Sequence, residues 1–180
     1  MTVKKILSAC LALLLLASCN KEITELPAAT QTGANTFGAK VDGKMWVPQG
    51  LGVFPANNLL EATYNRNTSR LIINARNFSK SPTETGIEFQ VAGVNGPGTY
   101  LLNTTTARHS GLSYAYFLKN QVSPVDEWMT TSDYTGSITV IKLDEANLIV
   151  AGTFQFTALS TYGTPHTISV TEGRFDIKMQ

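Results

Sequence analysis

Cysteine, histidine and charge are all scarce in this chain, and each shortage removes a class of function. Both cysteines, Cys10 and Cys19, lie near the start, so the rest of the chain can build neither a disulfide framework nor a thiolate metal site. The two histidines, His109 and His166, stand far apart and form no cluster suited to zinc. Charged residues make up only 15% of the chain and nowhere form a basic stripe, which argues against a nucleic-acid partner. No cofactor motif appears, and no metal or cofactor is expected. There is no G-x-S-x-G, so Ser110-Gly111 reads as a turn rather than a nucleophile. Asp144-Glu145-Ala146-Asn147 lacks the ligand spacing of a calcium loop. After residue 19 no apolar run approaches the ~20 residues of a membrane-spanning helix.

What is present is first of all a leader. Lys4 and Lys5 precede an apolar run from Ile6 to Ala17, too short to span a bilayer and followed by small residues, as in a secretory signal peptide. Leu16-Ala17-Ser18-Cys19 closes it and resembles the lipobox of bacterial lipoproteins. The resemblance implies that Leu16, Ala17 and Ser18 are read by the signal peptidase, and that the Cys19 thiol carries a diacylglycerol. Residues 1–18 are then the signal peptide, and Cys10 leaves with it. Two acyl chains hold a protein on a membrane where one is marginal. Losing Lys4 and Lys5 leaves one more acidic than basic residue. Residues 19–36 show no hydrophobic period and read as a flexible tether. By the proteobacterial rule, Asn20 in place of an aspartate after the lipid cysteine points to the outer membrane.

Residues 37–180 read as one all-β domain. Strand patterns recur with turn residues between them, and no amphipathic helix of useful length interrupts. Asp42-Gly43 marks a tight hairpin between Phe37–Val41 and Lys44–Val47. Strands are expected over Leu59–Arg66, Arg70–Asn77, Gly86–Val91, Thr99–Asn103 and Leu112–Leu118. Phe78–Glu84 reads as a polar loop. Lys119–Thr135 reads as the longest irregular stretch, with room for a helical turn. Gly136–Lys142, Leu148–Ala158 and His166–Met179 complete the set. Leu148, Val150, Phe154 and Phe156 share one face of their strand, and Thr153, Gln155 and Thr157 the other. Gly152 sits on the apolar face, where a large neighbour can pack across it. In the last strand Ile168 and Val170 are even-numbered core candidates, whereas Phe175 and Ile177 are odd. Side chains alternate with period 2, so the inward set changes parity only through one inserted residue. Glu172-Gly173 is the expected β-bulge. The pattern predicts an antiparallel β-sandwich of about 9–11 strands, with an up-and-down β-barrel as the alternative.

Four pieces, in this order, look like a family of uncharacterised Bacteroidetes lipoproteins. They are Phe37 to Trp46, Gly98-Thr99-Tyr100, Gly152-Thr153-Phe154-Gln155-Phe156, and Val170 to Ile177. The resemblance implies a location and a fold but no site. Chemistry must be sought elsewhere. Trp128 and Tyr134 fall in the longest irregular stretch, Tyr162 falls in a second loop, and His166 opens the last strand. Loop aromatics on a sandwich can stack a sugar or hold a peptide, or fold back to cap the core. A carboxylate pair such as Asp126 with Asp133, or a Ser-His-Asp set assembled from distant residues, would instead point to a hydrolase of surface polymers. A barrel with a large cavity would suit an apolar-ligand carrier. The favoured reading is a non-catalytic binding or assembly module of the cell envelope. It would be lipid-anchored through Cys19 and have a glycan or an envelope protein as partner.

Overall fold

The computed structural model describes residues 23–50, 58–80, 83–103, 108, 111–120 and 125–180. The lipobox, Cys10, Cys19 and His109 lie outside them. Eleven strands follow one another: β1 (Thr36–Val41), β2 (Lys44–Trp46), β3 (Leu60–Asn65), β4 (Arg70–Lys80), β5 (Thr83–Val91), β6 (Gly98–Leu102), β7 (Tyr114–Asn120), β8 (Val125–Met129), β9 (Gly136–Asp144), β10 (Ile149–Ser160) and β11 (Thr167–Lys178). Every pairing between these strands is antiparallel. The hydrogen-bonded path runs β2-β1-β11-β10-β8-β7-β5-β4-β3, with β9 and then β6 branching from β10.

The branch makes the shape. One edge of β10 pairs with β9 from Ile149 to Phe156, then with β8 at Leu159 and Ser160. The sheet turns its corner there and folds over itself. β5 bonds to neither β1 nor β10, yet the Phe89 ring lies 6.4 Å from Phe37, 4.7 Å from Phe154 and 5.8 Å from Phe156. Two layers therefore face each other across a core of rings, as a sandwich does. The path does not close into a barrel. At its far end β3 meets the chain after β11 through the Gln180 N–H donating to the Ala62 carbonyl at 3.0 Å.

Local chemistry explains the first hairpin and the irregularity in β11. Asp42 and Gly43 both take positive φ, 48° and 75°, as a two-residue hairpin requires. In β11, Phe154 pairs with Gly173 but Phe156 pairs with Val170, so one extra residue lies between them. Ile168, Val170, Phe175 and Ile177 are consequently all buried. The bulge falls where the parity slip puts it, but its backbone strain rests on Glu172, at φ 52°, rather than on Gly173. Gly173 is needed for another reason: a Cβ there would sit 2.6 Å from Phe154 Cγ. Glu172 also pairs with Lys40 at 2.6 Å, largely in solvent. Glu172→Gly and Glu172→Ala both lose that pair, and only glycine accepts the left-handed backbone freely. Denaturant titration should place the glycine variant about 1 kcal/mol above the alanine variant.

Two expected loops are strands. β4 runs on to Lys80 and β5 begins at Thr83, with an irregular register between Asn77 and Lys80. The Asn77 amide holds this corner, donating to the Val47 carbonyl at 2.7 Å and accepting from the Ser79 N–H at 2.9 Å. Val125–Met129 is likewise β8, because its backbone pairs with β7 over five residues. Leu148 departs from its expected face. It takes φ 57° in the turn before β10 and is exposed.

The tether expected over residues 19–36 meets the domain before it ends. Pro27 lies over Gly38, where a Cβ would come 2.6 Å from its Cδ. Asp176 gathers the next turn, accepting from Thr30 Oγ1 at 2.6 Å, Thr32 N at 2.9 Å and Gly33 N at 2.7 Å. These are contacts of caps and small residues, which leave no hydrophobic period in the sequence.

Candidate functional site

The aromatic residues singled out in the sequence are divided between the core and the surface. Trp128 faces inward from β8, is 5% exposed, and packs against Phe117 at 5.6 Å. His166 stands edge-on to it at 5.1 Å and 88°, with Nδ1 2.9 Å from the Thr164 carbonyl. The pair closes one end of the core. Tyr134 is half-buried in the turn after β8, where its backbone N–H meets Thr131 Oγ1 at 3.2 Å. Tyr162 is 71% exposed. Neither joins a ring pair among the described residues. Asp126 pairs with Lys119 in the β7–β8 ladder, whereas Asp133 belongs to the turn beyond β8. His166→Ala should lower stability by about 1 kcal/mol, the range of one edge-to-face contact, as read from the urea midpoint.

A second polar cluster covers the outer face of β5 and β7. Tyr114 and Tyr116 point away from the ring core yet are buried, and pack with Met129 and Leu118. Glu88 accepts from Arg108 at 2.6 Å and from the Tyr114 hydroxyl at 2.5 Å. The Arg108 guanidinium lies 4.1 Å above the Tyr116 ring. Burial would depress the Arg108 pKa, but its bond to Glu88 and the Glu88 charge outweigh that and raise it. Burial, above all, also pushes the Tyr116 phenol up. The Glu127 carboxylate adds to the rise without completing a hydrogen bond to the hydroxyl. Both charges of the Arg108–Glu88 pair are spent on each other, so the arrangement ties a loop residue to the sheet.

The open surface lies on the other layer. The inward residues of β9, β10 and β11 leave their neighbours on the outer face, and in its central rows those neighbours are small and polar. Thr153 pairs with Thr139 and Thr139 with Thr99, whose hydroxyls share a 2.9 Å hydrogen bond. One row further, Gln155 pairs with Ser137 and Ser137 with Leu101. In the third row Thr157 pairs with Ser169. The bulge raises Thr171 and Glu172 beside these rows, and Ala29 of the N-terminal segment forms a wall at one end. Two shallow hollows of about 520 Å³ and 330 Å³ result, and both border on Ser137 and Gln155, so they adjoin along one groove-like face. Alternation along the strand puts Thr153, Gln155 and Thr157 on the face opposite Phe154 and Phe156. The cross-strand rows that turn this face into a groove carry no mark in any single strand. Among the described residues no three His, Cys, Asp or Glu side chains gather as a metal site would require.

A family model described as a domain of unknown function (DUF6252) matches residues 34–176. Neither a curated protein nor a solved structure matches the chain.

Proposed function

We propose, from the premise that this chain belongs to the DUF6252 family of domains of unknown function, that it is a non-catalytic binding or assembly module of the cell envelope. One observation carries the binding reading: the groove made by two adjoining hollows across the outer face of β9, β10 and β11. Rings fill the space between the layers, which favours a ligand on the surface over one inside. Among the described residues His166 is engaged by Thr164 and Trp128 rather than by a carboxylate, which favours binding over hydrolysis. The lipobox-like Leu16-Ala17-Ser18-Cys19 supports a lipid anchor on Cys19, and Asn20 supports the outer membrane of a Bacteroidetes cell.

Two measurements test this. The parent isolated from its native envelope should carry the mass of a diacylated Cys19 and sediment with membranes, and Cys19→Ala should do neither. A photo-cross-linking residue at Gln155 should form an adduct in the intact envelope, whereas one at Asn65, at the end of β3, should not. Equal labelling at both positions would remove the groove as the binding surface.

A further inference from the structure

We infer that the groove binds an extended, uncharged, polyhydroxylated chain, that is, a neutral glycan, laid across β9, β10 and β11. This rests on reading the face as a binding surface and adds the class of ligand.

Chemistry selects the class. Threonine and serine hydroxyls and the glutamine amide each both donate and accept, as sugar hydroxyls do. Thr153, Gln155 and Thr157 repeat that offer along β10, and Thr139, Ser137 and Ser169 repeat it on either side. A polyanion would need unpaired cations. Lys40 is paired with Glu172 at 2.6 Å. That leaves Arg174, donating to the neutral Pro27 carbonyl at 3.4 Å, as a single positive charge in the groove lining beside the Glu172 carboxylate, too few for a polymer of repeated negative charge. An apolar protein partner would need buried anchors. Within the groove lining the large exposed apolar side chain is Leu101, 62% exposed at the margin and suited to the C–H face of a sugar ring, while Ile141, 44% exposed, lies further along β9 outside that lining.

Geometry selects a chain over a single ring. From Thr153 to Thr157 the strand advances ~14 Å, and from β6 to β11 the three interstrand steps cover about the same distance. The surface is also pre-set. Threonine is stiff at χ1, and the Thr99–Thr139 hydrogen bond fixes two hydroxyls before any ligand arrives, which lowers the entropy cost of binding. The strained Glu172, at φ 52°, holds up the bulge that forms one side of the groove.

The test is affinity electrophoresis of the full chain in detergent. Gels would contain a panel of neutral polysaccharides (dextran, mannan and laminarin) or heparin as a polyanion. At least one neutral polymer should retard the parent. The triple variant T153V/Q155L/T157V keeps strand-compatible shapes and removes the hydrogen-bonding groups, so its affinity for that polymer should fall about tenfold or more with its melting midpoint unchanged. Should the triple variant not fold, T153K alone must reduce retardation by obstructing the groove. Heparin retardation without any neutral-polymer retardation overturns the ligand class. So does a Gln155 adduct in the envelope with no retardation by the neutral panel, and in that case the binding reading stands. No adduct and no retardation overturn both.

Discussion

Gly152→Ala should cost the fold more than about 3 kcal/mol, the upper range for forcing an atom into a packed interior. The added Cβ would overlap the Thr139 carbonyl oxygen and lie 2.8 Å from Phe175 Cζ. That carbonyl belongs to β9, whose backbone is held by its ladders to β6 and β10, so it cannot retreat without opening a strand pair. Phe175 stands among the core rings, 6.4 Å from Phe154, and cannot retreat alone. Urea unfolding followed by tryptophan emission measures the effect. Gly98→Ala is the control: its Cβ would find nothing nearer than 3.6 Å, so its midpoint should stay close to the parent's. If both variants unfold at the parent's midpoint, the packing across Gly152 is wrong.

Asp176→Asn should release the N-terminal segment, and its effect should depend on pH with a definite sign. The residue is 1% exposed, and its carboxylate accepts four hydrogen bonds from Thr30, Thr32 and Gly33. Burial alone would raise its pKa. The bonds from Thr30, Thr32, Gly33 and Ala34 prevail and hold it below the ordinary value. A depressed folded pKa gives stability that is complete above the unfolded value of about 3.9 and fades as pH falls through the folded pKa. Parent and variant should therefore differ by a constant amount from pH 5 to 8, about 2–3 kcal/mol for charge-assisted bonds to a buried acceptor. Below pH 4 the two should converge. A difference that grows on acidification would contradict the sign. Proteolysis offers a second readout, because residues near Thr30 should be cut faster in Asp176→Asn at neutral pH.

Legibility followed the range of the interaction. Asp42-Gly43 was readable because a hairpin turn is decided within four residues. The bulge in β11 was readable because Ile168, Val170, Phe175 and Ile177 record a change of parity along one strand. Val125–Met129 was not readable. Its five residues do not alternate cleanly, and their strand character comes from β7, with which they pair. The burial of Tyr114 and Tyr116 was hidden for a similar reason. They share an alternating face, and only the fold shows that Arg108 and Glu88 cover that face from outside the ring core.

By itself the sequence determined the all-β class, the inward face of most strands, the hairpin at Asp42-Gly43 and the position of the inserted residue in β11. Each depends on period, turn chemistry or parity, which the chain carries locally. Only the tertiary structure decided that one sheet folds into two layers at β10, that Trp128 belongs to the core, that Asp176 clasps the N-terminal segment, and that separate rows of threonine, serine and glutamine meet as one groove. Those outcomes depend on which strands lie side by side. Strand order is fixed by hydrogen bonds and ring contacts between residues far apart in sequence, and no window along the chain contains both partners.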